Sequence, residues 1–121
     1  MKKILVVEDN ELNMKLFVDI LKYQKFDVDI AKDGLLAYEK IKTNFYDLII
    51  LDIQLPKLDG FSMLEKLQQE KINVPNVIIV SACAMDIDKM RAKKYNVKNY
   101  LTKPIDINNF VATVKQTLNE G

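Results

Sequence analysis

The chain has 121 residues, 49% of them hydrophobic and 29% charged, and its 18 basic and 17 acidic side chains leave a net charge of +1. That length suits one domain with a sizeable core, and so balanced a charge excludes a strong field directed at nucleic acid or a membrane surface. There are no histidines and a single cysteine, Cys83, which excludes histidine metal sites, histidine bases and an internal disulfide.

The lone cysteine fits a reducing compartment. Met1-Lys2-Lys3 runs straight into a strand-length apolar segment that soon turns acidic, unlike a signal peptide, and no later stretch reaches membrane-spanning length. A cytoplasmic protein is expected.

Ile4-Leu5-Val6-Val7 is an aliphatic run without polar alternation, the pattern of a strand buried on both faces, and it closes on Glu8-Asp9-Asn10. Asn10 is placed to cap a helix with Leu16, Phe17, Ile20 and Leu21 inward. Val28 to Ala31 alternates, as a less buried strand does. Asp33-Gly34 then turns the chain into a second helix burying Ala37, Tyr38 and Ile41. The central run Leu48-Ile49-Ile50-Leu51 ends abruptly on Asp52, and Pro56, Asp59 and Gly60 mark the loop beyond it. Phe61, Leu64 and Leu67 share one face of a third helix.

Pro75 precedes another aliphatic run, Val77 to Val80, which ends at Ser81-Ala82. Asp86 to Tyr95 reads as a short charged helix that stops at Asn96 in the left-handed cap conformation. Val97 to Leu101 is the last strand and leads into Thr102-Lys103-Pro104. Asp106 or Asn108 caps a final helix with Phe110, Val111, Val114 and Leu118 inward. The five methionines read as core filler and Cys83 as a small packing residue. Lys89, Arg91, Lys93, Lys94 and Lys98 read as a solvated basic face.

Five strand-helix units in strict alternation predict an α/β fold, an open doubly wound five-stranded parallel sheet with helices on both faces. The flavodoxin-like order 2-1-3-4-5 makes strands one and three neighbours, with the topological switch point between them. Glu8, Asp9 and Asp52 then converge at one edge of the sheet, beside the ends of strands four and five.

Three carboxylates in one place repel unless cations neutralise them. Lys103 offers one cation, and a divalent ion offers another. Magnesium suits a site of three acids and no histidine, because it takes carboxylates, waters and phosphate oxygens. With magnesium and Lys103 in place an aspartate can attack a phosphoryl group, and the Ser81 hydroxyl can donate to a further oxygen. Such a site forms an acyl phosphate.

With these residues in order, the chain resembles a response-regulator receiver domain over essentially its whole length. The matching features are Glu8-Asp9 after strand one, Asp52 after strand three, and Pro56 with Asp59-Gly60 downstream. Ser81-Ala82 after strand four and Tyr100-Leu101-Thr102-Lys103-Pro104 complete them. Val7 to Phe17 further resembles the stand-alone DivK-type receivers of bacterial cell-cycle control. The resemblance implies that Asp52 accepts phosphate from a histidine kinase or histidine phosphotransfer protein. It implies magnesium on Asp9 and Asp52 directly, on Glu8 through water, and on the Gln54 backbone carbonyl. Lys103 pairs with the phosphoryl group, and the bond before Pro104 is cis. Ser81 and Tyr100 form the switch, and helix four, strand five and helix five form the readout surface for a downstream protein.

The same resemblance implies a single receiver domain over 1–121 with no output domain, acting as monomer or weak dimer and not as an enzyme in the usual sense. Gln54, where methionine is frequent, and Cys83, two residues after Ser81, flank the route of the hydrolytic water in receivers, so phosphoryl lifetime does not carry over. Asn96 stands where glycine is common. A flavodoxin needs a hydroxyl- and glycine-rich phosphate loop after strand one, which Glu8-Asp9 is not. A haloacid-dehalogenase-type phosphatase wants a second acid where Gln54 stands. Two variants stay open: a phosphate-independent binding module, and a phosphate shuttle or sink between histidine proteins.

Overall fold

The computed structural model describes residues 1–82 and 86–119. In chain order its elements are β1 (Lys3–Val7), α1 (Glu11–Tyr23), β2 (Asp27–Ala31), α2 (Gly34–Thr43), β3 (Leu48–Leu51), α3 (Gly60–Gln69), β4 (Asn76–Ser81), α4 (Asp86–Ala92), β5 (Val97–Thr102) and α5 (Ile107–Thr117). The strands form one sheet in the order β2-β1-β3-β4-β5, every pair parallel. This is the flavodoxin-like arrangement expected from the alternation.

Successive side chains of a strand point to opposite faces, which explains the unbroken aliphatic runs. On one face Ile4, Val6, Leu48, Ile50, Ile78 and Val80 pack with Phe17 and Leu21 of α1, Phe110 and Val114 of α5, and Leu118 just after it. Phe17 and Phe110 meet there with ring centroids 5.2 Å apart. On the other face Leu5, Val7, Ile49, Leu51, Val77 and Ile79 pack with α2, α3 and Ala92 of α4. Both faces of the three central strands are covered, so polar alternation has no place in them.

Asn10, Asp33 and Asp59 each accept the backbone N–H three residues on, and Asp106 accepts that of Asn108. These side chains satisfy donors that a helix start leaves unpaired. At the last helix the cap is therefore Asp106, not Asn108.

Four expectations need correction. Leu16 is 41% exposed; α1 meets the sheet along a narrow stripe through Phe17 and Leu21, and a neighbouring position is rotated about 100° away from it. The methionines are not uniformly core: Met63 is fully buried and Met14 packs at the margin, while Met1 and Met90 are 91% and 67% exposed. Helix α4 ends at Ala92, and the chain continues in turns in which Lys93, Lys94 and Tyr95 donate three residues back. Asn96 does not take the left-handed conformation, which among the described residues falls to Lys25, Lys57, Lys71 and Asn119. Instead its side-chain amide donates to Val74 O and Asn76 Oδ1, both at 3.2 Å, and fastens the turn to the start of β4. Cys83 lies outside the described residues.

Candidate functional site

Each strand of a parallel sheet delivers its next residue to the same edge, and here that edge is acidic. Glu8 and Asp9 follow β1, Asp52 follows the neighbouring β3, and the register Val7↔Leu51 brings the two strand ends level. One carboxylate oxygen from each of Glu8, Asp9 and Asp52 lies within 4.8 Å of the others. Glu8 and Asp52 are buried, 1% and 7% exposed, while Asp9 is open to solvent.

Lys103, just past β5, reaches across the strand ends. Its ammonium donates to Glu8 Oε1 at 2.6 Å and to Asp52 Oδ2 at 2.9 Å. The remaining oxygens are held by backbone: the Asn10 N–H donates to Glu8 Oε2 at 3.1 Å, and the Gln54 N–H to Asp52 Oδ1 at 3.0 Å. Asn10, expected only as a helix cap, thus also orients Glu8. Its place two residues after Glu8 was visible in the chain, but the direction of its N–H was not.

Burial pushes the Glu8 carboxyl up, with the nearby Asp52 charge adding to it, and the bonds from Lys103 and Asn10 do not cancel that rise. For Lys103 burial opposes the charge, yet the bonds to Glu8 and Asp52 prevail and its proton is held more tightly than usual. Three carboxylates face one ammonium, so the site holds more negative charge than it neutralises and favours any added cation. All the donors in the acidic set are hard carboxylate oxygens, which suits magnesium and poorly suits a softer metal.

Ser81 ends β4, fully buried, with Thr102 as its register partner. Its carbonyl accepts the Lys103 N–H at 2.9 Å, which ties the lysine's backbone to the strand beside it. The Lys103-Pro104 bond is cis, as expected. Gln54 is exposed next to Asp52. Tyr100 lies two residues before Thr102, partly buried against the α2/α3 core, with the Lys89 ammonium 5.9 Å from its ring centroid. The fold therefore gathers Glu8, Asp9, Asp52, Gln54 and Lys103 at one point, seats Ser81 at the adjoining strand end, and places Tyr100 further along β5.

The parallel sheet thus carries an acid cluster and a lysine at the carboxyl ends of β1, β3 and β5, a set of groups that can hold a divalent cation. The family model for the response regulator receiver domain matches residues 4–115, and the chain belongs to that family. It is 36% identical over 122 residues to the polar-differentiation response regulator DivK of Brucella ovis, covering 99% of this chain and 98% of that one. Among solved structures, the receiver domain of Francisella response regulator 1452 superposes with a TM-score of 0.89 at 33% identity, over 98% of both chains. A CheY-like receiver domain protein from Methanospirillum hungatei gives 0.90 at 25% identity, over 98% of this chain and 94% of that one. The chain is thus a DivK-like receiver domain of two-component signalling, a switch module by family.

Proposed function

We propose that the protein is a phosphoswitch in which Asp52 accepts a phosphoryl group from a phosphohistidine on a histidine kinase or histidine phosphotransfer protein. The observation that carries this reading is the Lys103 ammonium bridging Glu8 and Asp52 within a three-carboxylate cluster. Asp9, Asp52 and the Gln54 backbone carbonyl would hold magnesium, with Glu8 supporting it through water. Bound magnesium supplies positive charge for the phosphoryl oxygens and relieves the repulsion among the acids.

In the transfer, an Asp52 carboxylate oxygen forms a bond to phosphorus while the bond between phosphorus and the imidazole nitrogen breaks. The departing nitrogen keeps the electron pair, and the partner's histidine returns to its neutral form with a proton from solvent if needed. Lys103 follows the charge from the carboxylate to the phosphoryl oxygens, and the Gln54 N–H keeps the carboxylate oriented. The Ser81 hydroxyl donates to a phosphoryl oxygen, and Tyr100 moves inward with it. The shift in packing is read on α4, β5 and α5 by a downstream protein.

Neither nucleic acid nor a membrane is a partner in this reading, and among the described residues no helix is long and apolar enough to cross a membrane. The setting is the cytoplasm, and the whole of 1–121 acts as one receiver domain, as a monomer or weak dimer. The test is intact-protein mass after incubation with acetyl phosphate and magnesium, beside Asp52→Asn and metal-free controls. One phosphoryl addition that needs both Asp52 and magnesium is expected. No addition to folded wild-type protein would sink the reading in favour of a phosphate-independent binding module, and onward transfer to a second histidine protein would make it a shuttle.

A further inference from the structure

The loop that carries Asp52 touches α2 more closely than any side chain permits. Gly34 is the first residue of α2 and is buried, and a Cβ built on it falls 1.6 Å from Leu58 O and 2.7 Å from Leu58 C. Favourable contact between heavy atoms begins at about 3.5 Å. The obstacle is backbone, so it cannot swing aside as the end of a flexible side chain can. Only glycine fits.

Leu58 stands at the far end of a tightly folded segment that begins at Asp52. The Leu55 and Gly60 N–H groups both donate to Ile53 O, at 3.1 and 2.9 Å, and the Leu58 N–H donates to Pro56 O at 2.7 Å. Lys57 is left-handed at φ 68°, and the Leu55 and Leu58 side chains pack onto the core. With the Gln54 N–H on Asp52 Oδ1, the segment is a short stiff lever with the carboxylate at one end and the Leu58 carbonyl at the other. The same end also lies beside the cap of α2: Asp33 Oδ2 is 3.7 Å from the Nζ of the largely exposed Lys57. Helix α2 cannot retreat from this contact, because Ala37, Tyr38 and Ile41 anchor it in the core.

We propose that Gly34 is a positioning residue for the phosphoacceptor. Its missing side chain lets the start of α2 seat the Leu58 carbonyl, and that seat sets where the 52–58 segment holds Asp52 and the Gln54 backbone. Gly34 touches no reacting atom and acts only through the loop. The inference rests on Asp52 being the phosphoacceptor.

The test compares Gly34→Ala with Ile41→Val, a core change on the same helix that leaves the loop contact alone. Backbone amide shifts are recorded in magnesium-free protein, and the rate of phosphorylation by acetyl phosphate with magnesium is measured separately. In Gly34→Ala the shift changes should concentrate at the Ile53 to Gly60 amides, and the rate should fall about 10- to 100-fold, as ångström-scale misplacement does. Ile41→Val should lower the melting temperature while keeping the rate within about twofold. Gly34→Ala with wild-type loop amides, or with a rate loss no larger than that of Ile41→Val, overturns the proposal. Should Gly34→Ala not fold, Leu58→Ala decides: it loosens the same seat from the loop side, and a rate and loop spectrum no more altered than in Ile41→Val are equally fatal. Wild-type protein that takes no phosphoryl group removes the phosphoacceptor reading instead, while the metal-free amide comparison still shows whether Gly34 sets the loop.

Discussion

The Tyr46 phenol donates a 2.6 Å hydrogen bond to Asp29 Oδ2, joining the approach to β3 to the edge strand β2 across the intervening β1. Asp29 Oδ1 accepts the Lys40 ammonium and the Ile30 N–H, each at 2.9 Å, and Lys40 also donates to Ile30 O at 2.8 Å. The cluster occupies backbone groups that the edge strand would otherwise present to another chain. Nothing in the alternation of Val28 to Ala31 announces it.

Burial raises the Asp29 carboxyl, but the bonds from Tyr46 and Lys40 outweigh it and hold the group below the usual carboxylate range. Burial and the bond to Asp29 push the Tyr46 phenol above its ordinary range, so it keeps its proton, and its role as donor, well into alkaline pH. A lowered carboxylate stabilises the fold above its unfolded titration range and loses that contribution as pH falls through its folded value. Tyr46→Phe should therefore cost about 2 kcal/mol at neutral pH. In melting curves against pH, the gap between wild type and Tyr46→Phe should narrow on acidification. A gap that stays constant to low pH would remove the Asp29 bond as its cause.

Lys103→Met removes the only ammonium on Glu8 and Asp52 among the described contacts. Leaving buried carboxylates without a cation typically costs about 3 to 5 kcal/mol. Denaturant unfolding without magnesium should show a loss of this order. Adding Glu8→Gln should restore part of it, because neutral glutamine ends the repulsion with Asp52; strictly additive effects would show that the groups do not communicate.

Magnesium should raise the melting temperature of wild-type protein in a concentration-dependent way, by the equivalent of about 2.7 kcal/mol at a hundred times its dissociation constant. Asp9→Asn should remove most of that rise, since Asp9 is the exposed member of the cluster. Calorimetric scans across a magnesium series would show it. A rise that Asp9→Asn leaves untouched places the ion elsewhere.

On α1 two leucines five residues apart separate the exposed face from the buried one. Leu21→Ala, in a fully buried position, should cost about 3 kcal/mol. Leu16→Ala should cost under about 1 kcal/mol, as exposed changes do. Equal losses in urea titrations would contradict the placement of Leu16.

The sequence by itself determined the architecture and the membership of the acid site. Aliphatic runs without alternation mark strands covered on both faces, and helical spacing between them leaves the parallel crossover as the economical way to cover both. Once β1 and β3 are neighbours, residues directly after each strand must meet, so Glu8, Asp9 and Asp52 were legible from position, and Lys103, past β5 on the same edge, needed only its long side chain to reach them. What only the tertiary structure decided depends on direction and distance. Leu16 and Phe17 are adjacent in the chain, yet the narrow contact of α1 buries one and exposes the other. Asn96 is an apt left-handed cap by type, but a neighbouring acceptor on β4 gave its amide a better use. Asp29, Lys40 and Tyr46 carry no shared spacing, and Gly34 reads as an ordinary turn glycine until Leu58 is brought against it. Local pattern sets which face a residue belongs to; which atom it meets is set by chain brought from elsewhere in the sequence.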